Sequence, residues 1–353
     1  MEKGFVQNLV KKITKDYGSG IACMLDSSFH ANGIKCISTG CVVIDDAIAG
    51  KDGGIPIGMI TEISGWESSG KTLIAKNVIA QTQKAGGVGV YLDSESAFSV
   101  QVAKAVGVDT EEMIYVQPEY MEQVFQITHD IIDSVREGTD EVFTIVWDSL
   151  ASTPTKNELE GKFVMGDRAR ILSAELRKIQ SKISKLKICF IIINQLREKI
   201  GVMYGSPDVT PGGKAVPFHS ALRLRTKKGQ MIKDSQNRVI GEWFTAKVIK
   251  NKVAPPFKVA EFEVFFDVGI PEYSGLYQSM KAQGFIQTKG GWSYFASDES
   301  KKFRSSDFDA MVKDDPKILE NFYANEGNVK DGKSNEGSGQ ESIVAAKEDP
   351  KDK

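Results

Sequence analysis

Residues 59–72 read Met-Ile-Thr-Glu-Ile-Ser-Gly-Trp-Glu-Ser-Ser-Gly-Lys-Thr, an apolar run that passes into Gly65-x-x-x-x-Gly70-Lys71-Thr72. The glycines let the backbone curl, so that N–H groups along Gly65, Trp66, Glu67, Ser68, Ser69 and Gly70 can line a concavity for phosphate. Lys71 then reaches toward β- and γ-phosphates, and Thr72 offers a hydroxyl to Mg²⁺. A helix opening at Gly70 adds its positive end. Such a loop needs a strand before it and a helix after it. Met59, Ile60 and Ile63 supply the first, and Leu73, Ile74, Val78 and Ile79 recur at helical spacing for the second. The alternative is a Gly/Ser turn that binds nothing, and the two flanks together favour the phosphate loop.

Downstream, apolar strands alternate with amphipathic helical patterns. Val88–Asp93 and Val142–Asp148 read as strands, Met113–Val116 as a weaker one, and Met121–Val135 as a helix. Continuous apolar strands between such helices predict an α/β fold with a mostly parallel sheet covered on both faces. Ligands then collect at the carboxyl ends of the strands. Asp148 closes one strand where a P-loop ATPase needs a carboxylate for its metal's water shell. Glu95 lies just past the end of another, placed to polarise an attacking water, and Asp93 competes with it for that role.

The chain of 353 residues is 41% hydrophobic and 26% charged, the balance of a soluble globular protein with one large core and a smaller unit. Its longest apolar run, Ile188–Ile193, is too short to span a bilayer, and the N-terminus does not resemble a signal peptide. The four cysteines show no C-x-x-C spacing, so reduced thiols in a cytoplasm are expected and a metal cluster is not. A net charge of −2 rules out coating nucleic acid with the whole surface, so any such contact must be local.

Two basic elements are candidates for that contact. Residues 163–187 read as one long helix, and from Gly161 to Lys187 eight basic residues face only Asp167 and Glu175. Residues 194–214 are too rich in Gly and Pro to be regular, and such long loops within a domain are usually functional. From 195 to 228, seven basic residues face Glu198 and Asp208. The apolar tips Met165, Ile200, Met203 and Tyr204 suit a groove that tracks a nucleic-acid backbone and wedges between bases.

Phe5, Leu9, Ile13 and Tyr17 form the stripe of an N-terminal helix that must cover either its own domain or a neighbouring subunit. Residues 19–58 read as a connecting region. Period-two segments at 221–226, 242–250 and 259–267 predict antiparallel strands extending the sheet, with Lys250 and Lys252 on one face. Residues 270–324 read as a small α/β unit, and from Asn325 the composition is that of a disordered tail.

Together these residues resemble a RecA-type homologous recombinase, bacterial or bacteriophage, from about residue 5 to 320. The most specific pieces are Ile37-Ser-Thr-Gly40, the phosphate loop, Asp93-Ser-Glu95, Val146-Trp-Asp-Ser-Leu150, Asn194–Gly205, Pro211-Gly-Gly213 and Val248–Ala254. The resemblance implies ATP and Mg²⁺ as cofactors, Glu95 as activator of water, Gln195 as γ-phosphate sensor, and Lys250 and Lys252 acting on a neighbour's ATP. It assigns 157–166 and 196–213 to two DNA-binding loops, with Met165 and Ile200 as wedges. Gly166, Arg170, Arg177, Arg197, Lys199, Gly212 and Gly213 would make further DNA contacts. Phe218, with Phe5, Leu9 and Ile13, would lie at a subunit interface. The implied organisation is a polymerisation segment 1–33, a RecA-like ATPase core 34–269, a C-terminal domain 270–324 and a tail 325–353. Single-stranded and homologous duplex DNA, a helical filament of the chain itself, and single-strand-binding and loader proteins are the implied partners, in a bacterial or phage-infected cytoplasm. Val102 and Ser99 depart from the family's adenine contacts. A hexameric helicase on the same core and a nucleotide-gated scaffold are the rival readings.

Overall fold

The computed structural model describes residues 3–18, 22, 24, 34–136, 141–184, 186–198 and 208–329. Eight strands form the central sheet: β1 Ile60–Gly65, β2 Val88–Asp93, β3 Met113–Val116, β4 Phe143–Asp148, β5 Ile188–Gln195, β6 Leu222–Lys233, β7 Val239–Asn251 and β8 Val259–Phe265. Their order across the sheet is β8-β7-β6-β1-β5-β4-β2-β3. The six from β6 to β3 run parallel, and β7 and β8 complete one edge antiparallel. The parallel strands β1 and β5 are buried on both faces because helices cover both.

On one face pack α2 (Val42–Ala49) and α3 (Lys71–Lys84). On the other pack α5 (Met121–Arg136) and α7 (Asp167–Ile183), around Phe125, Trp147, Leu176 and Phe190. The shorter α4 (Val100–Ala105), α6 (Lys156–Leu159) and α8 (Ala215–His219) lie among the loops. Residues beyond β8 form α9 (Leu276–Ala282), a three-stranded antiparallel sheet spanning 286–303, α10 (Phe308–Asp314) and α11 (Lys317–Val329), packed around Phe303, Phe308 and Phe322.

Three expectations need correction. The connecting region 19–58 contains α2, whose residues are nearly all apolar because the sheet edge and C-terminal unit enclose it. The long helix spans Asp167–Ile183 rather than 163–187, since Gly166 at φ 73° breaks the chain at its start and Leu186 and Lys187 turn into β5. Helix α11 continues past Asn325 to Val329. The N-terminal helix α1 (Lys3–Tyr17) forms as expected, with Phe5 and Leu9 exposed and Ile13 partly buried.

Candidate functional site

The phosphate loop leaves β1 at Gly65 and enters α3 at Lys71, with Ser68 and Gly70 both at positive φ. Gly65 is required by close approach, since an added Cβ would lie 2.3 Å from both Ser69 Oγ and Thr226 Oγ1. Those hydroxyls bond each other at 2.8 Å and pin the loop to β6. Lys71 Nζ donates to the Trp66 carbonyl at 2.6 Å, folding back across the loop. Burial lowers its pKa, while Asp148, Glu95 and Glu67 oppose that shift.

Thr72 Oγ1 donates to Asp148 Oδ2 at 2.7 Å, so α3 and the end of β4 meet as the sequence predicts. The same carboxylate oxygen accepts from the buried Tyr91 hydroxyl at 2.5 Å. Burial raises the pKa of Asp148, and the two hydroxyl donors hold it down. A hydroxyl and a carboxylate in contact form an oxygen donor set that fits a hard cation such as Mg²⁺. Among the described residues no cluster of three or more His, Cys, Asp or Glu could hold a metal.

The two acids after β2 separate by geometry. Asp93 is buried and accepts from the N–H groups of Glu95 and Phe98, both at 3.0 Å, and from Tyr115 Oη at 2.9 Å. Its work is to fold the 94–98 turn. Glu95 is exposed, and its Oε1 accepts from Ser149 Oγ at 2.5 Å and Gln195 Nε2 at 3.1 Å. Gln195 ends β5, next to Asn194, whose amide donates to Glu62 at 3.0 Å and to the Pro211 carbonyl at 3.2 Å.

Lys250 and Lys252 are not brought to this phosphate loop. Lys250 pairs with Arg223 at the start of β6, whereas the loop lies beside Thr226, about 10 Å further along the strand. Its Nζ donates to the carbonyls of Pro217 and Phe218 at 2.6 and 3.1 Å. Burial lowers its pKa, and Lys252 and Arg223 lower it further.

Met165 is 88% exposed at the tip before α7. Gly161 and Gly166, at φ 74° and 73°, flank that tip. Arg170 and Arg177 are exposed on α7, and Arg197 is exposed after β5. Gly212 and Gly213, at φ 93° and 66°, turn beside α7, where a Cβ on Gly213 would lie 3.9 Å from that of Ala169. Lys199 and Ile200, with Met203 and Tyr204, lie outside the described residues. Phe218 is 73% exposed. Ser99 caps α4, its Oγ accepting from the Val102 N–H at 3.3 Å. Sequence reasoning missed Tyr91, Ser149, Thr226 and Lys76. The one available signal was Lys76 at four residues from Thr72, a spacing that shares a helix face.

A parallel sheet with a phosphate loop between its β1 strand and α3, and an acid from β4 against the loop's threonine, defines a P-loop nucleotide-binding protein. Residues 5–271 match the model of the RecA N-terminal domain. The chain is 37% identical over 326 residues to Protein RecA of Thermotoga maritima, covering 90% of this chain and 89% of that one. It is 41% identical over 293 residues to Protein RecA of Chlorobaculum parvum, covering 82% of each. With Protein RecA of Symbiobacterium thermophilum the identity is 43% over 270 residues, covering 75% of this chain and 74% of the relative. The chain belongs to the RecA family, and its function is DNA recombination and repair.

Proposed function

We propose that the chain is a DNA-dependent ATPase that assembles as a helical filament on single-stranded DNA and pairs it with a homologous duplex. The observation that carries this reading is the hydrogen bond from Gln195 to Glu95, which joins the nucleotide side of the sheet to the root of the 196–213 loop. ATP sits with its phosphates on residues 65–72. Glu95 accepts the proton of the attacking water, oriented by Ser149 and Gln195. Thr72 and, through water, Asp148 would hold Mg²⁺, which would neutralise charge on the phosphates. Lys250 and Lys252, remote from their own loop, serve the ATP of the next protomer. The exposed stripe of α1 and Phe218 supply the contact between protomers. Met165, with Arg170, Arg177, Arg197 and the Gly212–Gly213 turn, forms the single-strand surface together with Lys199 and Ile200. Segments 1–33 and 34–269 act as polymerisation arm and ATPase core, followed by a C-terminal domain that runs from 270 to the end of α11 at Val329 and then a tail, in a bacterial or phage-infected cytoplasm.

The test is ATP hydrolysis with and without single-stranded DNA. Strong stimulation, lost in Lys71→Ala, is the expected result. Binding to single strands should weaken with salt at a log–log slope of about −0.7 per neutralised phosphate. Normal DNA binding without stimulation would favour a nucleotide-gated scaffold.

Tyr91 gives a second expectation. Tyr91→Phe keeps the ring against Phe98, at 4.8 Å between centroids, but removes a donor from Asp148. The Mg²⁺ concentration needed for half-maximal nucleotide binding should rise on the order of tenfold. An unmoved midpoint would strip Tyr91 of any part in holding the ion.

A further inference from the structure

Lys76 has no part in the chemistry above, yet its position is costly. It follows Thr72 by one helical turn on α3, on the same face, and is only 3% exposed. Among the described residues its ammonium makes no ion pair and no hydrogen bond. It lies over the Phe98 ring, with Nζ 4.4 Å from the centroid. An ammonium has three protons to donate, and an aromatic face satisfies them poorly. Burial lowers its pKa, with Asp148 and Asp93 pulling it up. A buried cation left short of partners is a mark of a site that a ligand completes.

The cavity it lines supplies the place. That space, about 460 Å³, is bounded by residues 68–73 of the phosphate loop and α3, by Lys76, and by Val102, Phe244 and Phe266. Lys228 and Glu242 also border it, but they pair with each other at 2.8 Å. Val102 and Phe266 present exposed apolar surface for a planar ring. This space opens directly from residues 68–72, which makes it the adjoining room for the nucleoside of a triphosphate seated on the loop.

We propose that the Lys76 ammonium is a specificity-determining donor for the nucleoside end of the bound nucleotide. It completes its hydrogen bonds on an acceptor atom of the base or the ribose. The inference rests on the reading of residues 65–72 as an ATP site. Because lysine only donates, it selects for ring nitrogens, 6-oxo groups or sugar oxygens, and against an amino group in the same place.

The experiment measures dissociation constants of ATP and of deaza and deoxy analogues that each remove one acceptor, for the parent and for Lys76→Met. It also measures the melting temperature of both proteins without nucleotide. Lys76→Met should weaken ATP on the order of tenfold or more. That penalty should vanish for the one analogue that lacks the contacted atom, a deaza form locating it on the base and a deoxy form on the ribose. The nucleotide-free variant should melt no lower, since an ammonium that faces the cavity, with no ion pair among the described residues, has been replaced by an apolar chain of similar length. Equal ATP affinity in parent and variant, or a lower melting temperature, overturns the proposal by making Lys76 structural. An equal penalty on every analogue places the contact on phosphate and overturns it too. A parent that binds no ATP, or binds it unchanged in Lys71→Ala, removes the ATP reading itself and this inference with it.

Discussion

Glu95→Gln should hydrolyse ATP about a hundredfold or more slowly in the presence of single-stranded DNA, with ATP binding and DNA binding unchanged. The substitution keeps the shape of the side chain. Its remaining carbonyl oxygen can still accept from Ser149 and Gln195, which hold Oε1 at 2.5 and 3.1 Å. What is lost is the capacity to take a proton. A fall in turnover without a change in nucleotide affinity is therefore the signature of a base rather than of a support. Asp93→Asn provides the contrast. That carboxylate accepts two backbone N–H groups and the Tyr115 hydroxyl, so its loss should disorder the 94–98 turn and lower the melting temperature together with activity. Turnover by Glu95→Gln at the parent rate would dismiss Glu95 and revive the scaffold reading.

The same pair shows where sequence reasoning runs out. Motif chemistry is local, so the phosphate loop, the acid ending β4 and the parallel core were legible from apolar runs and fixed spacings. Spacing alone left Asp93 and Glu95 competing, because both follow one strand; the family resemblance favoured Glu95, and the turn's hydrogen bonds give Asp93 a separate task. Helix α2 was missed because Val42-Val-Ile-Asp-Asp-Ala-Ile-Ala49 lacks the polar face by which a surface helix announces itself. The tip at 163–165 was read as part of the long helix, and a single Gly166 at positive φ separates the two. Tyr91 read as an ordinary strand residue. Its hydroxyl matters only because β2 lies beside β4 in the sheet, a pairing no local pattern specifies. The separation of Lys250 from its own phosphate loop likewise follows from strand register.

Register also brings together the group whose loss should cost the fold most. Glu62 on β1 is fully buried, opposite Arg223 on β6, which in turn pairs with Lys250 on β7. Arg223 Nε meets one Glu62 oxygen at 2.5 Å and Asn194 meets the other at 3.0 Å. Asn194 also holds the Pro211 carbonyl, so this acid anchors both ends of the 196–213 loop as well as the strand that carries Lys250. Glu62→Ala should destabilise the protein by about 3 kcal/mol, read as a shift in the urea midpoint, because the partly buried Arg223 is left beside Lys250 without its carboxylate partner. Glu62→Met with Arg223→Met should recover most of that loss, since an apolar pair of similar volume avoids the desolvation of both ions. If stability returns in the double variant but stimulation of ATP hydrolysis by DNA does not, the pair serves to link the loop to the strand rather than to hold the sheet. A single variant as stable as the parent would mean that the charge is compensated elsewhere and that the anchor is not needed.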